Sequence, residues 1–204
     1  MAMRLHWSPR SPFVRKVMIA AHELGLADRV ETRRTVVAMS KPNHDLLPEN
    51  PLGKIPTLVT EDGTVLYDSL VIVEYLDSLD GAPCLVPLKG KARWVELRRH
   101  ALANGLLDAL ILWRNERERA APNPALLDAF ALKSRTALDA LEGEVEDIAA
   151  LPIGVAAITI GVLGDYLDFR FGDLGWREGR PLLAAWHEEF AQRPSMRATM
   201  IVDA

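Results

Sequence analysis

Three short segments carry residue types that could do chemistry. In Ser11-Pro-Phe-Val-Arg-Lys-Val17 a hydroxyl stands just before a proline suited to opening a helix. A hydroxyl at a helix N-cap lies beside unpaired backbone N–H groups and the positive end of the helix dipole. That environment stabilises an anion. A thiolate held there would have its pKa lowered from a free value near ~8.5. A drop of about two units corresponds to on the order of 2.7 kcal/mol. One hydroxyl hydrogen bond to an anion, added to a helix terminus, can supply that. Taken alone, Ser11 is explained more simply as a plain cap. In Asn50-Pro-Leu-Gly-Lys-Ile-Pro-Thr-Leu58 a proline precedes a strand. A cis Ile55-Pro56 bond would turn the Ile55 N–H and C=O outward, where they could pair with an extended peptide. A trans proline at a strand start is the ordinary alternative. In Tyr67-Asp-Ser-Leu-Val-Ile-Val-Glu-Tyr-Leu76, Ser69 caps a helix whose free amides could bind a carboxylate. Asp68 beside it could pair with an ammonium. Together they suit the α-amino acid end of a ligand, or they form an acidic first turn and nothing more.

The elements that must position these segments follow from periodicity. Arg4 to Trp7 alternates as a short strand, and Phe13 to Leu24 carries a helical apolar stripe stopped by Gly25. Val30 to Val37 is β-branched and reads as a second strand. Residues 38–53 are polar and broken by Pro42, Pro48 and Pro51. Thr57 to Thr60 and Thr64 to Tyr67 flank Glu61-Asp62-Gly63, a hairpin signature. Leu70 to Leu79 is a helix capped by Ser69 or Asp68. The order is β-α-β-(broken helix or loop)-β-β-α over residues 1–80. Residues 81–90 hold two prolines and two glycines and read as a linker. Residues 91–204 are helical throughout: Lys91 to Arg119, Pro124 to Glu146, an almost wholly apolar Pro152 to Phe169, and Pro181 to Gln192. The fold class is α+β, an α/β N-terminal domain followed by an all-α C-terminal domain.

Composition narrows the partners. Among 204 residues, 24 are basic and 28 acidic, and each part carries two more acidic than basic residues. With no basic stripe, nucleic acid is not expected. The single cysteine, Cys84, excludes an intramolecular disulfide and a cysteine-rich zinc site. The five histidines are far apart in sequence, and no metal is expected. No apolar run reaches the ~18 residues of a membrane span, and the N-terminus lacks a signal-peptide core. A cytoplasmic protein is expected.

Each motif alone is unspecific. All three, in this order and ahead of a helical domain, resemble the cytosolic glutathione transferases over essentially the whole chain. SPFVRKV looks like the catalytic-serine segment of tau-type and many bacterial members. The omega-type members carry cysteine at that position. NPLGKIPTLV is similar to the family's cis-proline segment and LYDSLVIVEYLD to its acidic-residue-and-serine segment. Gly164-Asp-Tyr-Leu-Asp-Phe-Arg170, Arg180-Pro-Leu-Leu-Ala-Ala-Trp186 and Gln192-Arg-Pro-Ser-Met196 resemble the closing helices of a bacterial subgroup.

The resemblance implies a thioredoxin-like domain that holds glutathione as co-substrate. Ser11 would donate a hydrogen bond to the glutathione sulfur, and Ile55 would pair with the cysteinyl backbone. Asp68 and Ser69 would hold the γ-glutamyl end. Lys54 and Lys41 would face the glycyl carboxylate. Glutathione carries two carboxylates and one ammonium, which this charge set complements. It also implies a homodimer and a role in detoxification. The expected reaction conjugates the thiolate to a small hydrophobic electrophile. The alternatives are glutathione-dependent peroxide reduction or isomerisation, and a non-catalytic interaction protein on the same fold, as in stringent starvation protein A.

Two departures from the family pattern stand out. The second domain's buried helix usually starts on Ser or Thr followed three residues later by Asp, a variant capping box. Here those positions are Gly154 and Ala157. A weakened helix start is expected, offset by tertiary burial or by Pro152. The other departure is Asp68, where Glu is commoner. Elsewhere, Phe13, Asp108 and Tyr166 are candidates to line the substrate pocket, although Tyr166 is explained better as core and Asp108 equally as a solvated side chain. His100 is expected on a solvated or dimer-facing side, Cys84 has no role, and the five tryptophans are packing or interface anchors.

Overall fold

The computed structural model describes residues 2–79, 81 and 85–203. The chain forms two compact units, Met1–Val86 together with Pro194–Ala204, and Pro87–Arg193. Cys84 lies outside the described residues, so its expected lack of a role is not addressed by them.

In the first unit, β1 (Met3–Trp7), β2 (Val30–Arg34), β3 (Thr57–Val59) and β4 (Val65–Leu66) form one sheet in the order β2-β1-β3-β4. β1 runs parallel to β2 and antiparallel to β3, and β4 closes antiparallel on β3. The expected strand to Val37 ends at Arg34. There Thr35 still donates its N–H to the Trp7 carbonyl, and the chain then leaves the edge. Met3 and Leu5 of the central strand are fully buried. Alternation puts Arg4 and His6 on the opposite face. Helices α1 (Pro12–Glu23) and α2 (Ser69–Asp77) pack on each other, and Val17, Ala20, Ile72, Val73 and Leu76 on them are fully buried. The short α8 (Pro194–Ala198) packs on α1. Arg15, 5% exposed, donates to the carbonyls of Thr199 (2.8 Å) and Met196 (3.2 Å). These bonds explain why the chain's last residues belong with the first unit, which corrects the expected all-helical domain over residues 91–204.

The second unit contains α3 (Gly90–Arg117), α4 (Pro124–Glu142), α5 (Val145–Ala149), α6 (Val155–Phe171) and α7 (Pro181–Phe190). The expected single helix to Glu146 is split at Gly143, which ends α4 before α5 begins. α6 is buried on all sides from Val155 to Gly164, as its composition implied, and α3 packs along it. Trp113 of α3 lies between Phe130 (6.3 Å between centroids) and Phe171 (5.2 Å). Trp176 is also buried, whereas Trp94 is exposed. His100 is 4% exposed, which corrects the expectation of a solvated position. It sits next to buried Arg99 on the face of α3 turned into this unit. Among the described residues, no helix is long and apolar enough to cross a membrane.

Candidate functional site

Strand register brings the sequence motifs to one end of the sheet. β1 ends at Trp7 and leads to Ser11. His6 pairs with Thr57, so antiparallel β3 begins beside the end of β1. Leu58 pairs with Leu66, so β4 ends beside the start of β3. β2 is parallel to β1 and finishes at the same end, leading towards Lys41. Ser11, Lys41, Lys54–Ile55 and Asp68–Ser69 all belong to segments that leave the sheet on this side.

Ser11 is the N-cap of α1, with Pro12 as the first helical residue. Its Oγ accepts the Val14 N–H at 3.3 Å. Among the described residues the hydroxyl hydrogen has no acceptor, so it is free to donate outward while the oxygen caps the helix. The Ile55–Pro56 bond is cis. Among the described residues the Ile55 N–H has no hydrogen-bond partner. Lys41 and Lys54 are both exposed.

At α2 the structure chooses between the two candidate caps. The cap is Asp68, whose Oδ1 accepts the Leu70 N–H at 3.0 Å, and Ser69 is the first helical residue. A cap must sit outside the helix with extended backbone, and Asp68 has it (φ −86°, ψ −161°). Its second carboxylate oxygen faces solvent, while Ser69 is buried. The pair still offers a charged oxygen and the start of a helix side by side.

The three candidate pocket residues fall in different places. Phe13 is half-buried on α1, with Lys16 Nζ 5.6 Å from its ring centroid. Asp108 is exposed on α3, 3.4 Å from Asn104. Tyr166 of α6 is 1% exposed, and burial raises its hydroxyl pKa.

Sequence reasoning missed several polar residues. Asn50 is 1% exposed, and its amide donates to the Lys54 carbonyl (3.1 Å) and Thr57 Oγ1 (2.9 Å). Its Oδ1 accepts the Leu52 N–H at 3.0 Å. Its place at the head of NPLGKIP was the only available signal. Glu49 meets Arg4 at 2.7 Å and His6 Nε2 at 2.8 Å, pairs too distant in sequence to leave a pattern. In the helical unit, Asp165, Asp168 and His187 offer ligand-type atoms within 4.8 Å of one another beside an open cleft of about 470 Å³. Both oxygens of Asp168 already meet Arg177, at 2.5 and 2.7 Å, and Trp176 donates to it at 2.8 Å. His187 Nε2 lies 2.9 Å from Asp165. This is an ion-pair network joining α6 to α7. Gly164 completes it, because a Cβ there would lie 2.3 Å from the His187 ring.

A model of the glutathione S-transferase N-terminal domain matches residues 10–79. The fold superposes with a TM-score of 0.95 on a glutathione transferase family member from Pseudomonas fluorescens Pf-5 with bound glutathione. The two are 43% identical, and the alignment covers 98% of this chain and 100% of that one. The uncharacterized GST-like protein YibF of Escherichia coli K12 is 33% identical over 97% of this chain and 98% of its own length. A stringent starvation protein A homolog from Histophilus somni is 39% identical over 93 residues, covering 42% of this chain and 43% of its own.

Proposed function

The chain belongs to the glutathione S-transferase family, its first unit thioredoxin-like and its second all-helical, and from that premise we propose that it is a transferase joining the sulfur of glutathione to a small hydrophobic electrophile. The observation that carries this reading is the Ser11 hydroxyl. It accepts from Val14 at the mouth of α1 and keeps its own hydrogen for a ligand.

Glutathione lies with its cysteinyl backbone against the free N–H of Ile55. Its γ-glutamyl ammonium meets the outward oxygen of Asp68, and its γ-glutamyl carboxylate lies at Ser69 and the start of α2. Lys54, with Lys41, faces the glycyl carboxylate. This places the sulfur over α1, where Ser11 donates to it. A hydrogen bond to a charged acceptor contributes about 1.5–3 kcal/mol, and the helix terminus about 0.3–1 kcal/mol more. Their sum covers a lowering of the thiol pKa by about two units, roughly 2.7 kcal/mol. The thiolate then attacks the electrophilic carbon. A C–S bond forms, and either the leaving group departs with its electron pair or, in an addition, the electron pair of the bond that opens moves to the neighbouring atom, which takes up a proton. Serine at position 11 cannot form a mixed disulfide, which disfavours thiol–disulfide chemistry through that residue. Peroxide reduction uses the same thiolate and is the second reaction to assay. A cytoplasmic homodimer serving detoxification is part of this reading, and sedimentation of the purified chain tests the dimer.

The partial likeness to stringent starvation protein A supports a second reading, an interaction protein without turnover. Retention of Ser11, Lys54, Asp68 and Ser69 together favours the enzyme. Conjugation of glutathione to an aryl halide tests it. Turnover that falls sharply in Ser11→Ala is expected, and turnover equal in both proteins removes Ser11 from the chemistry.

A further inference from the structure

Between Arg34 and Thr57 the chain makes a long loop that ends in Lys54 and Ile55, two of the residues assigned above to glutathione. Loops of this length without regular structure need anchors to hold one conformation. One anchor is apolar, the fully buried Leu46. The others are polar and converge on one imidazole. His6 lies on the central strand and is 2% exposed. Its Nδ1 meets Thr35 Oγ1, in the loop's first residue, at 2.8 Å. Its Nε2 meets Glu49 Oε2, near the loop's end, also at 2.8 Å. The ring thus joins the two ends of the loop across the sheet face. Arg4, two residues earlier on that face, takes the other Glu49 oxygen at 2.7 Å. Burial opposes charge on Glu49, but His6 and Arg4 outweigh it and hold the carboxyl below its usual range. The carboxylate is therefore an acceptor, and Nε2 carries the hydrogen.

Glu49 is followed by Asn50, whose amide fastens the Lys54 carbonyl and Thr57 Oγ1. A displacement at Glu49 passes to Asn50 and from there to the backbone of Lys54. We propose that Glu49, gripped by His6 and Arg4, is a positioning residue for glutathione: it sets where Lys54 and Ile55 stand. None of the three touches the sulfur's partner Ser11, so the effect falls on glutathione affinity and not on the chemical step. This inference rests on the glutathione reading above.

The test uses the full chain. Calorimetry measures glutathione affinity, and conjugation kinetics measure KM and kcat, for wild type, Glu49→Ala, Glu49→Gln and Lys54→Gln and for the Glu49→Ala/Lys54→Gln double variant. Loss of these hydrogen bonds predicts a rise of about five- to tenfold in Kd and KM for glutathione in Glu49→Ala, with kcat within about twofold of wild type. Glu49→Gln keeps the volume and an acceptor oxygen, so it recovers part of the affinity and serves if Glu49→Ala fails to fold. Lys54→Gln costs less in the Glu49→Ala background than alone, because the lysine is already misplaced there. Folded variants with wild-type Kd, a fall in kcat at unchanged Kd, or fully additive effects of the two substitutions each overturn the proposal. A wild-type chain that does not bind glutathione overturns the functional reading and this inference together, whereas wild-type affinity kept in every folded Glu49 variant overturns the inference alone.

Discussion

At the scale of single residues, the site depends on side chains whose atoms are divided between two tasks. Ser11 caps α1 with its oxygen and has its hydrogen available. Replacing it with alanine removes both contributions. Thermal or urea unfolding of Ser11→Ala is expected to show a loss of about 1 kcal/mol from the cap, while conjugation falls by a larger factor because the thiolate loses its donor. Asp68 is divided in the same way, one oxygen on Leu70 and one outward. Asp68→Asn retains a capping oxygen and loses the charge. It should leave stability within about 0.5 kcal/mol and weaken glutathione binding severalfold by calorimetry. Ser11, Ile55 and Lys54 were legible in sequence because each sits in a local motif. The choice between Asp68 and Ser69 as cap was not, since a serine and an aspartate side by side are both good caps and only backbone geometry chooses. Glu49 and His6 were illegible because their contact spans the sheet.

At the scale of elements, the second unit closes two of its helix starts with carboxylates borrowed from other helices. The missing capping box at α6 is replaced by Glu96 of α3, whose Oε1 accepts the Ala156 N–H at 2.7 Å. Burial raises the Glu96 pKa even as that amide lowers it. Glu142 of α4 does the same for α7, accepting from Leu182 at 3.0 Å and Leu183 at 2.7 Å, where the Arg180 cap position offers no side-chain acceptor. The expected weak start of α6 thus has a tertiary contact to offset it. Glu96→Ala should destabilise the chain by about 1–2 kcal/mol. Gly154→Ser with Ala157→Asp should restore more stability in that background than in wild type, where the amide is already satisfied. Urea denaturation of the four proteins checks this, and equal gains in both backgrounds would count against it. The helices themselves were legible from their apolar stripes. Their caps were not, because a glutamate on an exposed-looking stretch of one helix carries no mark of the helix end it reaches.

At the scale of the whole molecule, the order of elements was readable and the path of the last residues was not. The return of 194–204 to the first unit rests on Arg15 donating to main-chain carbonyls, and any residue type presents a carbonyl. Stability towards acid should be governed in part by the Arg98–Arg99–Glu144 cluster. Arg98 bonds Glu144 at 2.7 and 2.5 Å and Arg99 at 2.9 Å. The Arg98 hydrogen bonds, joined by those of Arg99 and both charges, outweigh burial and hold the Glu144 carboxyl at about 2, against 4.5 unperturbed. A lowered carboxyl pKa stabilises the fold above the unfolded value, and that contribution disappears as pH falls through the interval from 4.5 towards 2. Denaturation midpoints should therefore drop across this interval in wild type and drop less in Glu144→Gln. Parallel curves for the two proteins would contradict the assignment.

The proposed chemistry requires that the hydroxyl at the start of α1 keep bound glutathione ionised near neutrality. Ultraviolet thiolate absorbance of the glutathione complex, titrated with pH in wild type and Ser11→Ala, measures it directly. The expected wild-type midpoint lies about two units below the free thiol value of ~8.5 and returns towards that value in Ser11→Ala. A bound thiol that titrates in wild type as it does in free solution would contradict it.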